Sequence, residues 1–294
     1  MRVLVIKLGA LGDFVLAFGP FAAIRAQHPG ARITLLTTAP FAGLARLSPW
    51  FDAVQVDTRP AWWNFPGLLR LRAAVQGFDF VYDLQTSGRS SRYFRLAGRP
   101  GWSGIARGAS HPHANPARNR MHTLDRQREQ LELAGIRRFP PPDLSWLGTA
   151  PPAVASPYAM LVPGAAPHRP AKRWPAERFG ALARLLQARG LRPVVVGAAG
   201  DGPLAATIVA RCPEALDLTG RTSLPDLAGL AAHAALAVGN DTGPMHLAAT
   251  MGCRCVALFS AESDPALTAP AGALVLREPD LADLAVARVA AALP

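Results

Sequence analysis

The chain has 294 residues, the length of two domains at about 150 residues each; half are hydrophobic and only 17% charged, which excludes a disordered polyelectrolyte. Three cysteines (Cys212, Cys253, Cys255) and no Cys-x-x-Cys pair exclude a disulfide scaffold and a Cys-x-x-Cys zinc site, and predict reduced, buried thiols. The formal charge of +11 is concentrated: residues 89–138 hold 11 arginines against Asp125, Glu129 and Glu132, whereas residues 139–294 balance.

In chain order, Arg2–Ile6 reads as a buried strand, followed by a Gly-containing loop. A helix from about Phe14 is expected, with Phe14, Phe18 and Phe21 on one face. This apolar start is interrupted by Lys7 and Asp13 and divided at Gly19-Pro20, so its longest apolar run is 11 residues. A spanning helix needs about 20. The expectation is a soluble chain that is neither exported nor inserted. Ile33–Thr37, Ala53–Val56 and Phe80–Leu84 read as further strands. The prolines between Phe139 and Pro157 can continue neither a helix nor a central strand, which predicts a linker there and domains of residues 1–150 and 151–294.

The alternation then restarts. Tyr158–Val162, Arg192–Gly197, Leu216–Leu218, Ala235–Val238 and Arg254–Phe259 read as strands. Between them, Pro175–Arg189, Pro203–Arg211, Leu224–His233 and Pro244–Met251 read as helices. Strand–helix alternation implies parallel strands joined by crossovers. The fold class expected is therefore α/β, with two doubly wound layers facing a cleft and no internal sequence repeat.

Three segments carry chemistry. Lys7-Leu-Gly-Ala-Leu-Gly-Asp13 follows the first strand without a Gly-x-Gly-x-x-Gly or a Gly-Lys-Ser/Thr, and so is neither a dinucleotide fingerprint nor a P-loop. It delivers one carboxylate, Asp13, which either caps the next helix or acts as a base. Gly239-Asn-Asp-Thr-Gly-Pro-Met-His246 joins a strand to a helix start, where free N–H groups and the helix dipole favour a phosphate near Thr242 and Gly243. His168-Arg-Pro-Ala-Lys-Arg-Trp-Pro175 brings Lys172, one of only two lysines, to the end of a strand. An ammonium there suits a diphosphate. There is no Gly-x-Ser-x-Gly elbow, no His-Glu-x-x-His and no Asp-x-Asp metal clamp; Glu262-Ser-Asp264 reads as a loop after a strand.

In this order and spacing the three segments resemble glycosyltransferase family 9, the ADP-heptose:lipopolysaccharide heptosyltransferases. The resemblance rests on residues 7–13, Lys-Arg-Trp-Pro-Ala-Glu-Arg-Phe at 172–179 and Asn-Asp-Thr-Gly-Pro-Met-His-Leu-Ala-Ala at 240–249. His122-Thr-Leu-Asp-Arg with Leu131-Glu-Leu-Ala-Gly135 is similar to the family's helix before its linker. The resemblance implies a GT-B fold of two Rossmann-like domains, acceptor-binding first and donor-binding second, and inverting transfer without metal or other cofactor. It implies Asp13 as general base, Lys172, Asp241, Thr242, Gly243 and His246 on the donor sugar and phosphates, and Asp201 and Thr222 on the nucleoside. The expected partners are a nucleotide sugar, a lipopolysaccharide core acceptor and the cytoplasmic face of the inner membrane, held peripherally. Arg89, Arg92, Arg95 and Arg120 are the expected acceptor contacts. Two other classes compete. An epimerase of the same shape would rearrange its nucleotide sugar with no acceptor and no need of the arginine stripe. A basic nucleic-acid-binding protein would use the arginines directly, but few aromatics accompany them and no binding motif appears, so no nucleic acid is expected.

Overall fold

The computed structural model describes residues 1–148 and 154–293. Its chain contacts divide it into two compact units, Met1–Trp146 and Leu147–Pro294. The expected boundary at 150/151 and linker prolines Pro151 and Pro152 lie outside the described residues.

The first unit runs β1 (Arg2–Ile6), α1 (Leu11–Val15), α2 (Phe18–Gln27), β2 (Arg32–Thr37), α3 (Ala39–Leu47), β3 (Ala53–Val56), α4 (Phe65–Val75), β4 (Phe80–Asp83), α5 (Gly88–Leu96), β5 (Gly101–Gly104), β6 (His111–Pro112) and α6 (Thr123–Leu133). The second runs β7 (Tyr158–Val162), α7 (Ala176–Ala188), β8 (Arg192–Val195), α8 (Gly202–Arg211), β9 (Leu216–Asp217), α9 (Leu224–His233), β10 (Leu236–Asn240), α10 (Gly243–Thr250), β11 (Cys255–Phe259), α11 (Pro265–Thr268), β12 (Leu274–Arg277) and α12 (Val286–Ala291).

Among the described residues each unit holds one six-stranded sheet, ordered β3-β2-β1-β4-β5-β6 and β12-β11-β10-β7-β8-β9. All pairings are parallel. Counted within its own unit, the second order is the first read from the other edge, so both are Rossmann sheets. Two halves without sequence similarity thus share one topology, because a strand–helix crossover is satisfied by burial pattern rather than by particular residues.

The central strands are apolar on both faces, as a covered parallel sheet requires. In the first unit Leu71, Val75, Tyr93 and Phe94 of α4 and α5 pack on Leu4, Ile6 and Val81. The opposite face is aromatic, with Phe18 at 5.2 Å from Trp50 and Phe14 at 5.6 Å from Phe21. In the second, Phe179, Leu182 and Leu186 of α7 pack with Trp174 on Leu161, Val195 and Val238.

Three local expectations need correction. The single helix from Phe14 is two, α1 and α2, and it starts earlier, at Leu11. The phenylalanine spacing survives the break because all three rings pack in one aromatic cluster. The arginines of residues 89–138 are not carried by one element: Arg89, Arg92 and Arg95 are on α5, Arg126 and Arg128 on α6, and the other six on the segments between and after these helices. Of the cysteines, Cys212 and Cys255 are buried but Cys253 is half-exposed at the turn before β11.

Candidate functional site

A parallel sheet presents the carboxyl ends of its strands at one edge, and ligands bind where the strand order reverses. In the first unit that point lies between β1 and β4, where Ile6 stands opposite Asp83. Two bonds bridge it. Lys7 Nζ donates to the Leu84 carbonyl (3.2 Å), and the Leu8 N–H donates to Gln85 Oε1 (2.8 Å). Lys7 is fully enclosed, and burial lowers its pKa to about 8; Asp13 and Asp83 work against that fall, while Arg126 and Arg118 add to it. Asp83 is wholly buried and pushed up to about 6 by desolvation, although the Thr86 N–H donates to its carboxylate and Lys7 sits near.

Asp13 lies in the first turn of α1, half-exposed. The capping alternative is overturned: Ala10 is the N-cap and no side chain caps this helix. The loop before it is shaped by Gly9, whose φ of +120° favours glycine and whose added Cβ would stand 2.5 Å from the Phe41 ring. Arg59 reaches the same strand end, donating to the Leu8 carbonyl (3.0 Å) from a backbone with φ of 50°. Half-buried Arg118 donates to His113 Nδ1 (3.2 Å), and His113 Nε2 lies 3.6 Å from Glu129. Burial, then Arg118, lowers the His113 pKa despite the Glu129 charge. Carboxylates and cations are therefore interleaved around the end of β1.

The four expected acceptor arginines differ in their surroundings. Arg89 is committed internally, donating to Tyr93 Oη and the Pro60 carbonyl (both 2.7 Å). Tyr93 in turn donates to buried Asp57 (2.6 Å). Arg92 and Arg95 are exposed on α5, with Arg95 in the last turn, the end remote from the carboxyl edge of β4. Arg120 is exposed on a short 3-10 turn after β6. Nothing in the sequence sets Lys7, Arg118 and Arg126 apart, since only the fold brings Lys7 into range of Asp13 and Asp83, Arg118 into range of Asp83, and both arginines into range of Lys7.

In the second unit the order reverses between β7 and β10. Fully buried Asn240 bridges it: its Nδ2 donates to the Pro163 carbonyl (2.7 Å) and its Oδ1 accepts from the Trp174 N–H (3.0 Å). Gly239 is obligatory beside it, because an added Cβ would meet Val162 at 2.5 Å. These contacts place the loop bearing Lys172 against the start of α10, and Lys172 Nζ donates to Asp241 Oδ2 at 2.5 Å. Thr242 is the N-cap of α10 and makes no side-chain cap bond. Pro244 has no N–H and the Met245 N–H donates to the Thr242 carbonyl (3.1 Å), which leaves the Gly243 N–H as the first-turn donor for an anion. His246, one turn on, is buried.

Asp201 and Thr222 belong to the same edge. Asp201 follows β8, accepts from the Ala198 N–H (2.9 Å) and lies against Gly164 and Gly197, where a Cβ would meet its carboxylate within 2.8 Å. Thr222 follows β9, just before Ser223, the N-cap of α9. The donor residues expected from the sequence thus come from the ends of four strands along one edge. Among the described residues no group of three or more His, Cys, Asp or Glu could hold a metal ion.

Two Rossmann-ordered sheets in one chain, each bridged by a side chain at its reversal point, are the architecture of a GT-B glycosyltransferase. In agreement, the fold superimposes on E. coli heptosyltransferase WaaC, solved with ADP-2-deoxy-2-fluoro heptose, with a TM-score of 0.81 at 24% identity, covering 99% of this chain and 98% of that one. Lipooligosaccharide heptosyltransferase 2 of Haemophilus ducreyi is 24% identical over 282 residues, 85% of this chain and 80% of the relative. Its Haemophilus influenzae counterpart is 36% identical over 106 residues, 34% of this chain and 30% of the relative's length. The model of glycosyltransferase family 9 (heptosyltransferase) matches residues 69–276, and the chain belongs to that family. It is a transferase, and the epimerase reading gives way to it.

Proposed function

We propose that this enzyme transfers a heptose, or a closely related sugar, from an ADP-sugar to a lipopolysaccharide core acceptor, with inversion and without a metal ion. We place it peripherally at the cytoplasmic face of the inner membrane. The observation that carries the reading is the Lys172–Asp241 pair at the uncapped start of α10, on the reversal point of the second sheet. Lysine supplies a point charge for the donor diphosphate, the helix start supplies the Gly243 N–H, and Asp241 is a hydroxyl acceptor for the sugar. Asp201 and Thr222, on the flanking strand ends, are assigned to the nucleoside. Thr242, Gly243 and His246 line the phosphate and sugar side.

In the reaction Asp13 takes the proton from the acceptor hydroxyl as its oxygen bonds to the anomeric carbon. The bond from that carbon to the diphosphate breaks with inversion, and ADP leaves with the electron pair. Lys172 and the α10 dipole stabilise the charge that develops on it. Arg118, Arg120 and Arg126 are assigned to the anionic acceptor, with Lys7 held beside the base. Arg89, by its internal bonds, holds the loop of Pro60 instead.

The test is nucleotide calorimetry. Lys172→Ala removes a charge-assisted contact worth roughly 1.5–3 kcal/mol, so ADP affinity should fall about 10- to 150-fold. Unchanged affinity in a folded variant would remove the donor assignment.

A further inference from the structure

The first unit carries an aromatic and basic surface that the transfer chemistry does not use. Trp63 is 81% exposed, Phe65 75% and Leu69 66%, and no other large hydrophobic among the described residues is as exposed as any of these three. They lie within seven residues of each other, on the turn before α4 and on its outer face. Leu71 and Val75 of the same helix point into the core. The presentation is rigid. The Asn64 side chain caps α4 through the Gly67 N–H (3.0 Å), and Gly67 sits so close to Pro60 that a Cβ would stand 2.6 Å away. Behind Trp63, the Trp62 ring is covered by the guanidiniums of Arg89 (5.2 Å) and Arg92 (5.1 Å).

The charge around this patch has one sign. Arg70 and Arg72 are exposed on α4, Arg92 and Arg95 on α5, and neither helix contains an acidic residue. Isolated exposed apolar residues need no explanation, but three large ones clustered within a basic field do. An aqueous protein partner of ordinary composition would match the apolar part and not the uniform positive rim. The headgroup layer of an anionic bilayer matches both. Tryptophan and phenylalanine partition to the boundary between headgroups and acyl chains, while arginines near the surface are attracted to anionic lipid.

We infer that the α4–α5 face docks on an anionic bilayer, with Trp63, Phe65 and Leu69 entering the interface and Arg70, Arg72, Arg92 and Arg95 engaging the lipid phosphates. The inference deepens the reading above, which places the enzyme peripherally at a membrane, by naming the surface that meets it.

The experiment is co-sedimentation of the full chain with vesicles of phosphatidylcholine alone and with about 30% phosphatidylglycerol, free of any glycolipid acceptor. Wild type should bind the anionic vesicles and not the neutral ones. A Trp63→Ser, Phe65→Ser, Leu69→Ser triple variant and an Arg70→Ser, Arg72→Ser double variant should each partition about tenfold or more weakly. ADP affinity should match wild type in both variants, which separates a lost membrane contact from a damaged fold or donor site. Three results would each overturn the docking surface: no binding of wild type to anionic vesicles, equal binding by the triple variant, or a patch-dependent dimer in lipid-free solution with vesicle binding unaltered. Binding that appears only when the acceptor glycolipid is added, and ignores the patch, would overturn it while favouring the acceptor reading.

Discussion

Lys7 gives up most of an ammonium's hydration to bridge β1 and β4, and that cost makes it a titrating group near neutral pH. Its folded pKa of about 8 lies below the ordinary 10.5. Between these values the unfolded chain holds a proton that the folded one does not, so Lys7 adds stability as pH rises. The contribution is complete above about 10.5 and is lost as pH falls through 8. At 1.36 kcal/mol per unit, wild type should gain about 3 kcal/mol over Lys7→Met between pH 8 and 10.5 in denaturant titrations. A constant difference would mean that the ammonium stays charged in the fold. Asp13 is tested by kinetics. Since it caps nothing, Asp13→Asn should leave melting and ADP affinity unchanged while kcat falls roughly 10²- to 10⁴-fold. Near-normal turnover would place the base elsewhere. The carboxylate could be singled out in the sequence because it follows a strand in a Gly-rich loop. The approach of Arg118 and Arg126 to Lys7 could not, because it joins segments more than 100 residues apart in the chain.

At the scale of elements, the second unit depends on how the β7 loop is fastened to β10. Asn240 satisfies one backbone carbonyl and one backbone N–H in a site closed to water. Asn240→Ala leaves both unpaired, at about 1–3 kcal/mol each, and should lower unfolding free energy by roughly 2–6 kcal/mol. It should also weaken ADP binding, because the loop that sets Lys172 against Asp241 is released. Full stability with intact binding would show that the loop is held by other means. The Asn-Asp-Thr-Gly-Pro run was legible in the sequence as a strand-to-helix junction, but not Asn240's part in it. A buried asparagine looks like any loop asparagine until its partners, Pro163 and Trp174, are known.

At the scale of the whole molecule, the donor edge brings together a lysine and a helix start, and the leaving diphosphate can be stabilised without a divalent ion. Transfer should therefore persist at an undiminished rate in excess EDTA, assayed by ADP release with acceptor present. A strict requirement for added Mg or Mn would demand a different reading of the Lys172–Asp241 site.

The sequence by itself determined the two α/β layers, most strand positions in the second half, and the segments that bear Asp13, Lys172 and Asp241. It could do so because burial on both faces of a parallel strand leaves unbroken apolar runs, and because Gly and Pro punctuate the turns between them. The strand order was beyond it, since register and neighbours depend on pairings between residues far apart in the chain. For the same reason it could not sort the arginines. Alike in sequence, they became different residues in the fold: Arg89 buttresses a loop, Arg118 sits among buried charges, and Arg92 and Arg95 face solvent on the outside of α5. Charge density is a property of composition, whereas which charge meets which partner is decided by tertiary packing alone.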